Sequence, residues 1–288
     1  RDKGVFGLVA DGMGGHEGGE IASALAARLV KEIYYRSGAE PQAALESAFA
    51  AANREIFAKS QANRNLLGMG TTCTAVSVVN GYAYCVHAGD SRAYLIRGGQ
   101  PYCLTEDHSS TMTMVRQGLI TLAEARVHEE RNVILRAMGT RSDVEPQAWP
   151  APYPLRHGDK LVLCSDGLYE TIEESEIVSI TAEAPPEAAC RKLIDLAIER
   201  RSTDNVSAVL FYLIDTTPGK PKQATPGIPE PLLRLKFDGK TVDFVVIPGS
   251  GVSAGEPVNF RLRLVSKNEA VLIRNGDESN PFPVRRDD

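Results

Sequence analysis

With 288 residues the chain has room for one large domain with a substantial core, or for a large domain and a small one. A hydrophobic fraction of 43% beside 24% charged residues fits a globular protein in water. No apolar run approaches the ~20 residues that span a bilayer, and a net charge of −5 argues against a nucleic-acid binder.

That charge is uneven. From Thr216 onward, 11 Lys and Arg stand against 9 Asp and Glu, a balance of +2, so the first 215 residues carry −7. An acidic face suits metal ions and basic partners, although many globular domains are mildly acidic for solubility alone. The five cysteines, Cys73, Cys85, Cys103, Cys164 and Cys190, contain no Cys-x-x-Cys pair. They read as buried thiols in a reducing compartment, which places the chain in the cytoplasm. The first residue is Arg1 rather than Met, and the chain reads as a fragment.

In chain order, Val5–Ala10 is an apolar strand that ends at Asp11, and a glycine-rich turn, Gly12–Gly19, follows. Glu20–Ser37 has helical spacing, with Ile21, Leu25, Leu29 and Ile33 on one face. Pro41 starts a second helix that runs to Asn63, with Ala44, Phe49, Ala52 and Ile56 inward. Two such helices can cover one face of a sheet. Gly70–Val79 then reads as a strand, Asn80-Gly81 as a hairpin turn, Tyr82–Ala88 and Arg92–Arg97 as the next strands, and Pro101–Leu104 as a fourth. Ser109–Ala125 has helical spacing. Lys160–Cys164 is a buried strand, Ser175–Thr181 and Pro186–Arg201 are helices, and Val206–Ile214 is a final strand. Strands in runs and helices in runs predict an α+β fold rather than alternating β-α-β units.

Thr216–Pro231 carries five prolines and reads as an extended linker. Beyond it, Leu232–Phe237, Val242–Ile247, Val258–Val265 and Ala270–Arg274 read as strands, with Asp238-Gly239 as a hairpin turn. The expected organisation is a catalytic domain over 1–215, a linker over 216–231 and a small β module over 232–288, part of a sandwich.

Four aspartates carry the chemistry. They are Asp11 in Ala-Asp11-Gly12-Met13-Gly14-Gly15, Asp90 in Gly89-Asp90-Ser91-Arg92, Asp166 in Ser165-Asp166-Gly167 and Asp204 in Thr203-Asp204-Asn205. Carboxylates at the ends of buried strands are costly unless positive charge meets them. A shared cluster of hard divalent cations meets that need with carboxylate and carbonyl oxygens. No His or Cys pair has zinc spacing, so Mg²⁺ or Mn²⁺ is favoured over Zn²⁺. Two such ions acidify a shared water and clamp a phosphoryl group for in-line attack. The bland reading of each aspartate is a turn former or helix cap. The glycines of Gly12–Gly19 lack the Gly-Lys-Ser/Thr ending of a P-loop.

Six motifs occur in one order: Val9-Ala10-Asp11-Gly12-Met13-Gly14-Gly15-His16, Gly70-Thr71-Thr72, Gly89-Asp90-Ser91-Arg92, Asp107-His108-Ser109, Cys164-Ser165-Asp166-Gly167 and Asp204-Asn205-Val206-Ser207. Over about Val5 to Ile214 the chain resembles the metal-dependent protein phosphatase 2C family, bacterial type. That resemblance implies a four-layer α-β-β-α sandwich of two antiparallel sheets flanked by helix pairs, with a binuclear metal site. It implies two Mn²⁺ or Mg²⁺ ions, with Asp11 bridging them and Gly12 giving its carbonyl to one. Asp166 and Asp204 resemble the remaining ligands, and Asp90 the ligand of a third, weaker ion. Ser109–Arg136 resembles the flap that influences substrate choice. Nothing before Arg1-Asp2-Lys3 supplies the family's opening strand with its arginine and Asn-Glu-Asp motif, so the chain is expected to begin one strand late.

The expected function is hydrolysis of phosphoserine and phosphothreonine on proteins by a metal-bridged water, in bacterial signalling opposite a Ser/Thr kinase. Its partners are phosphorylated proteins, the kinase or its targets, with no nucleic acid and no membrane segment. The alternatives are a non-catalytic phosphatase-like binding module and a phosphoesterase acting on non-protein substrates. His16 is read as a helix-start residue rather than a general acid, His108 as a structural hydrogen-bonding group, Asn205 as support for the site, and Arg92 as the partner of a carboxylate.

Overall fold

The computed structural model describes residues 3–14 and 16–214 and, beyond them, the backbone of five strands. The elements in order are β1 (Val5–Val9), β2 (Gly12–Met13), α1 (His16–Arg36), α2 (Pro41–Ala62), a 3₁₀ turn (Arg64–Leu66), β3 (Gly70–Thr71), β4 (Cys73–Val79), β5 (Tyr82–Ala88), β6 (Arg92–Arg97), β7 (Gln100–Cys103), α3 (Ser110–Arg116), α4 (Leu122–Val127), β8 (Gln147–Ala148) and β9 (Tyr153–Pro154). They continue with β10 (Lys160–Cys164), α5 (Asp166–Tyr169), α6 (Glu174–Glu183), α7 (Pro186–Glu199) and β11 (Ala208–Tyr212), then β12 (Leu232–Phe237), β13 (Thr241–Val246), β14 (Val258–Ser266), β15 (Glu269–Arg274) and β16 (Phe282–Arg285). Arg1–Tyr94 with Cys103–Leu155 form one compact unit, and Leu95–Tyr102 with Arg156–Asp288 form another.

In the first unit the sheet order is β1-β4-β5-β8, with β9 also on β5. All of these pairings are antiparallel. β4 lies between β1 and β5, and its Cys-Thr-Ala-Val-Ser-Val-Val run is buried at nearly every position, as a central strand covered on both faces requires. The β4–β5 hairpin turns at Asn80 and Gly81, with φ of 51° and 82°. Two consecutive positive φ values match the twist of a two-residue hairpin, which is why Asn-Gly serves there. α1 and α2 pack on each other, and α2 packs on β4 and β5. Ala22, Ala26, Val30 and Tyr34 from α1 meet Leu45, Phe49, Ala52 and Ile56 from α2 and Leu8, Ala75 and Val86 from the sheet. Each large side chain so buried contributes about 1.5–3 kcal/mol. Asn53 on α2 pins the loop after residue 138: its Nδ2 donates to the Arg141 and Ser142 carbonyls, and its Oδ1 accepts from the Gly139 amide.

In the second unit β10 pairs antiparallel with β11, from Lys160↔Tyr212 to Cys164↔Ala208. α6 and α7 pack together, and α7 lies on β11. Arg97 on β6 binds the buried Asp159 carboxylate through Nε at 2.9 Å and Nη2 at 2.6 Å. β12 joins β11 at Ala208↔Leu235, and β12 to β16 continue as an antiparallel meander in the same nine-stranded sheet. Four of these strands lie where their sequence patterns put them, and β16 is additional. The expected linker 216–231 and the Asp238-Gly239 turn lie outside the described residues.

Four elements differ from their sequence patterns. The run over Gly70–Val79 divides at Thr72 into β3, which pairs with β2, and β4, which pairs with β1 and β5. α1 begins at His16 rather than Glu20, because Gly18 and Gly19 are packed into the helix: a Cβ at Gly19 would come 2.8 Å from the Gly12 carbonyl. The helical pattern over 109–125 divides in two at Gly118, whose φ is +71°. Thr121 restarts it with a capping box to Glu124. β11 begins at Ala208, so Asp204-Asn205 lies in the loop before the strand rather than at its first position. Among the described residues, no helix is long and apolar enough to cross a membrane.

Candidate active site

Asp11 follows β1 and is held by its own backbone. Its amide donates to Thr72 Oγ1 at 2.9 Å. Its carbonyl accepts from the Thr72 amide and from Thr71 Oγ1, each at 2.8 Å. The neighbouring β2–β3 ladder pairs Gly12 with Thr71. A Cβ on Gly12 would lie 1.9 Å from the Gly19 carbonyl, so only glycine lets α1 start this close behind the aspartate.

Asp166 opens the single turn of α5 directly after β10, and its Oδ1 accepts from the Gly167 amide at 2.7 Å. Asp204 repeats the arrangement, with Oδ1 accepting from the Asn205 amide at 2.7 Å. Two serines join these segments. Ser165 Oγ donates to the Asn205 carbonyl and accepts from the Ser207 amide, each at 2.9 Å. Ser202 Oγ donates to the Gly167 carbonyl at 2.9 Å.

One carboxylate oxygen from each of Asp11, Asp166 and Asp204 lies within 4.8 Å of the other two. The donor chemistry fits Mn²⁺ or Mg²⁺: three carboxylates and no imidazole or thiolate in the group, which is the hard-oxygen set such ions take. Asp90 stands outside this trio. It is buried in the β5–β6 turn after Gly89, whose φ is +105° and where a Cβ would lie 2.6 Å from the Thr72 methyl. His16 starts α1. Arg92 pairs with Asp107 through Nε at 3.0 Å and Nη2 at 2.7 Å. His108 accepts from the Gly89 amide at Nδ1 and meets Gln147 Oε1 at Nε2. Ser109 caps α3.

Sequence reasoning passed over His87. It lies next to the last residue of β5, is 2% exposed, and stacks on His108 with ring centroids 4.7 Å apart. The available signal was Thr74, a hydroxyl in the largely apolar β4 run, directly across from His87 on β5. Burial, with the neighbouring His108 and Arg136 charges, pushes the His87 pKa from 6.5 down to about 3. The unfolded chain therefore takes up this proton at higher pH than the folded chain. The stability that neutral His87 contributes is full above about pH 6.5 and is lost as pH falls toward 3, at up to ~1.4 kcal/mol per pH unit. His108, also lowered by burial, acts in the same direction. Denaturant titrations in chelator are expected to show stability falling from about pH 7 to about pH 5, with a shallower slope in His87→Phe. An unchanged slope would show that His87 does not titrate in this way.

The family model for protein phosphatase 2C matches residues 1–113. The serine/threonine protein phosphatase PstP of Mycobacterium tuberculosis is 33% identical over 260 residues, which is 90% of this chain and 48% of the relative. The chain thus spans about half the length of that protein. The serine/threonine phosphatase Stp of Listeria innocua is 35% identical over 185 residues, 62% of this chain and 73% of the relative. Among solved structures, the catalytic domain of PstP in complex with two manganese ions superposes with a TM-score of 0.66 at 34% identity, over 73% of this chain and 88% of that one. The chain has the α+β fold of these metal-dependent phosphatases. It belongs to the protein phosphatase 2C family.

Proposed function

We propose that this chain is a protein serine/threonine phosphatase that releases phosphate from phosphoserine and phosphothreonine with Mn²⁺ or Mg²⁺. The observation that carries the reading is the three carboxylate oxygens of Asp11, Asp166 and Asp204 within 4.8 Å, on a chain of this family. Asp11, Asp166, Asp204 and the Gly12 carbonyl would hold two ions, and Asp90 a third, weaker one. When bound, such ions supply Lewis acidity that acidifies water and neutralises phosphoryl oxygens. The chain's own part is preorganisation. Three backbone bonds fix the Asp11 peptide, and the Gly167 and Asn205 amides each orient one carboxylate oxygen of Asp166 and Asp204. Groups held in this way need no rearrangement when charge develops on the substrate.

Phosphorylated proteins, among them a Ser/Thr kinase or its targets, are the partners this reading implies. The four buried thiols, with Cys73 pushed up by burial to about 12 and Cys85 and Cys190 also raised by burial, support placement in a reducing cytoplasm. The division into a catalytic domain over 1–215, a linker and a C-terminal β module is part of the same proposal, and the proline density of 216–231 supports it.

The test is phosphate release from a phosphothreonine peptide, with and without Mn²⁺, by the whole chain and by a chain ending at residue 215. Mn²⁺-dependent release by both is expected. Mn²⁺ binding without release would favour the binding-module alternative. Release from small phosphate esters but not from peptides would favour a non-protein substrate. Loss of release in the shorter chain alone would overturn the domain division.

A further inference from the structure

A line of buried polar groups runs from the Asp11 peptide into the interior of the first unit. The Asp11 amide donates to Thr72 Oγ1 at 2.9 Å, and Thr72 Oγ1 lies 2.6 Å from Ser91 Oγ. The Ser91 carbonyl accepts from Thr74 Oγ1 at 2.8 Å, and the same Thr74 oxygen lies 2.8 Å from His87 Nδ1. His87 Nε2 faces the Glu106 carbonyl at 3.1 Å. Thr72, Ser91, Thr74 and His87 are all 2% exposed or less. At that burial each polar atom must be satisfied by its neighbours, and a change at one member reorganises the others.

The proton count makes His87 the deciding member. Thr74 has one hydroxyl proton, with both the Ser91 carbonyl and the His87 Nδ1 position in reach. With the ring proton on Nδ1, His87 donates to Thr74 and the hydroxyl proton goes to Ser91. With the proton on Nε2, the ring donates to the Glu106 carbonyl and takes the Thr74 proton itself. In both tautomers the polar atom at Nδ1 sets the direction of the Thr74 hydroxyl. With the ring proton on Nδ1, that hydroxyl holds the Ser91 backbone, and the Ser91 side chain in turn meets Thr72.

We propose that His87 is a positioning residue for the candidate metal centre, holding the Asp11 peptide in place through Thr74, Ser91 and Thr72. The proposal rests on the reading of Asp11 as a metal ligand. A packing role asks only for a flat buried group of this size, whereas the positioning role asks for a polar atom where Nδ1 stands.

Two variants of the whole chain separate these roles. His87→Asn keeps a polar atom at the Nδ1 place and loses Nε2, and His87→Gln does the reverse. Mn²⁺ binding is measured by calorimetry on metal-free protein, beside thermal midpoints and peptide hydrolysis. The Gln variant is expected to bind Mn²⁺ on the order of tenfold more weakly than the Asn variant, the scale seen for groups that orient metal ligands. Equal Mn²⁺ affinity in the two variants overturns the proposal, whether both match the parent or both are weakened. If either fails to fold, Thr74→Ser and Thr74→Val give the same comparison: Ser is expected to retain affinity and Val to lose it, and equal affinity overturns the proposal. Asp166→Asn is the control on the underlying reading. If it binds Mn²⁺ like the parent, the metal assignment fails and takes this proposal with it. If it loses binding while the His87 and Thr74 pairs stay level, the His87 role alone fails.

Discussion

Replacing Asp166 by Asn is expected to remove Mn²⁺-dependent phosphate release while leaving the chain folded. Asn is close to Asp in shape, and its Oδ1 can still accept from the Gly167 amide, the bond Asp166 makes at 2.7 Å. The single turn of α5 and its junction with β10 therefore keep their geometry. What disappears is one negative charge from a group of three carboxylate oxygens within 4.8 Å. A hard divalent ion loses one of its strongest donors, and the acidity it confers on water falls with its occupancy. A loss on the order of a thousandfold in turnover is expected, about 4 kcal/mol of barrier. Steady-state kinetics across a Mn²⁺ series, with circular dichroism as the fold control, reads the effect. Unchanged turnover would remove Asp166 from the metal set.

Gly167→Ala should act on the same site by geometry alone. The added Cβ would meet the Asn205 carbonyl oxygen at 2.6 Å and the Asp204 carbonyl oxygen at 3.2 Å. Reaching ordinary contact means shifting one segment from the other by roughly 0.5–1 Å. The segments have little freedom to do so, because Ser202 ties the Gly167 carbonyl and Ser165 ties the Asn205 carbonyl. Asp166 and Asp204 sit on either side of this contact, so the shift moves two of the three carboxylates. A displacement near 1 Å in a preorganised site costs on the order of a hundredfold in rate. The expected result is that loss in kcat/KM together with a higher Mn²⁺ requirement. Wild-type kinetics would show that the two segments tolerate separation.

The two predictions differ in how visible their residues were. Asp11, Asp166 and Asp204 were legible as candidates because each stands in a short motif, the first two just after an apolar run and Asp204 just ahead of one, where a bare carboxylate lacks a cheap structural reason. Gly167 was legible as a motif member, but not as a spacer, since its Asn205 neighbour is remote in sequence. The hairpin at Asn80-Gly81 was legible because two positive φ values leave few residue choices. The early start of α1 was not, because isolated glycines read as a turn and only packing of Gly18 and Gly19 against other segments makes them helical. His87 was hidden for a related reason. One histidine in a β-strand carries no pattern, and its meaning comes from Thr74 on the paired strand and Glu106 further along the chain.

Local chemistry therefore determined, from the sequence by itself, most of the longer strands and helices up to residue 214, the α+β class, the acidic character of the candidate site and four of the five C-terminal strands. Those properties follow from side-chain period, turn stereochemistry and charge, which depend on near neighbours in the chain. The tertiary structure alone decided that β4 lies between β1 and β5, that β12 adds to the edge of β11, that three aspartates spread over nearly 200 residues bring oxygens within 4.8 Å, and that a buried histidine lies at the end of the polar line behind one of them. Each of these is a pairing between segments distant in sequence. Such pairings are selected by the packing and hydrogen bonding of the whole molecule, and no window of the chain contains them.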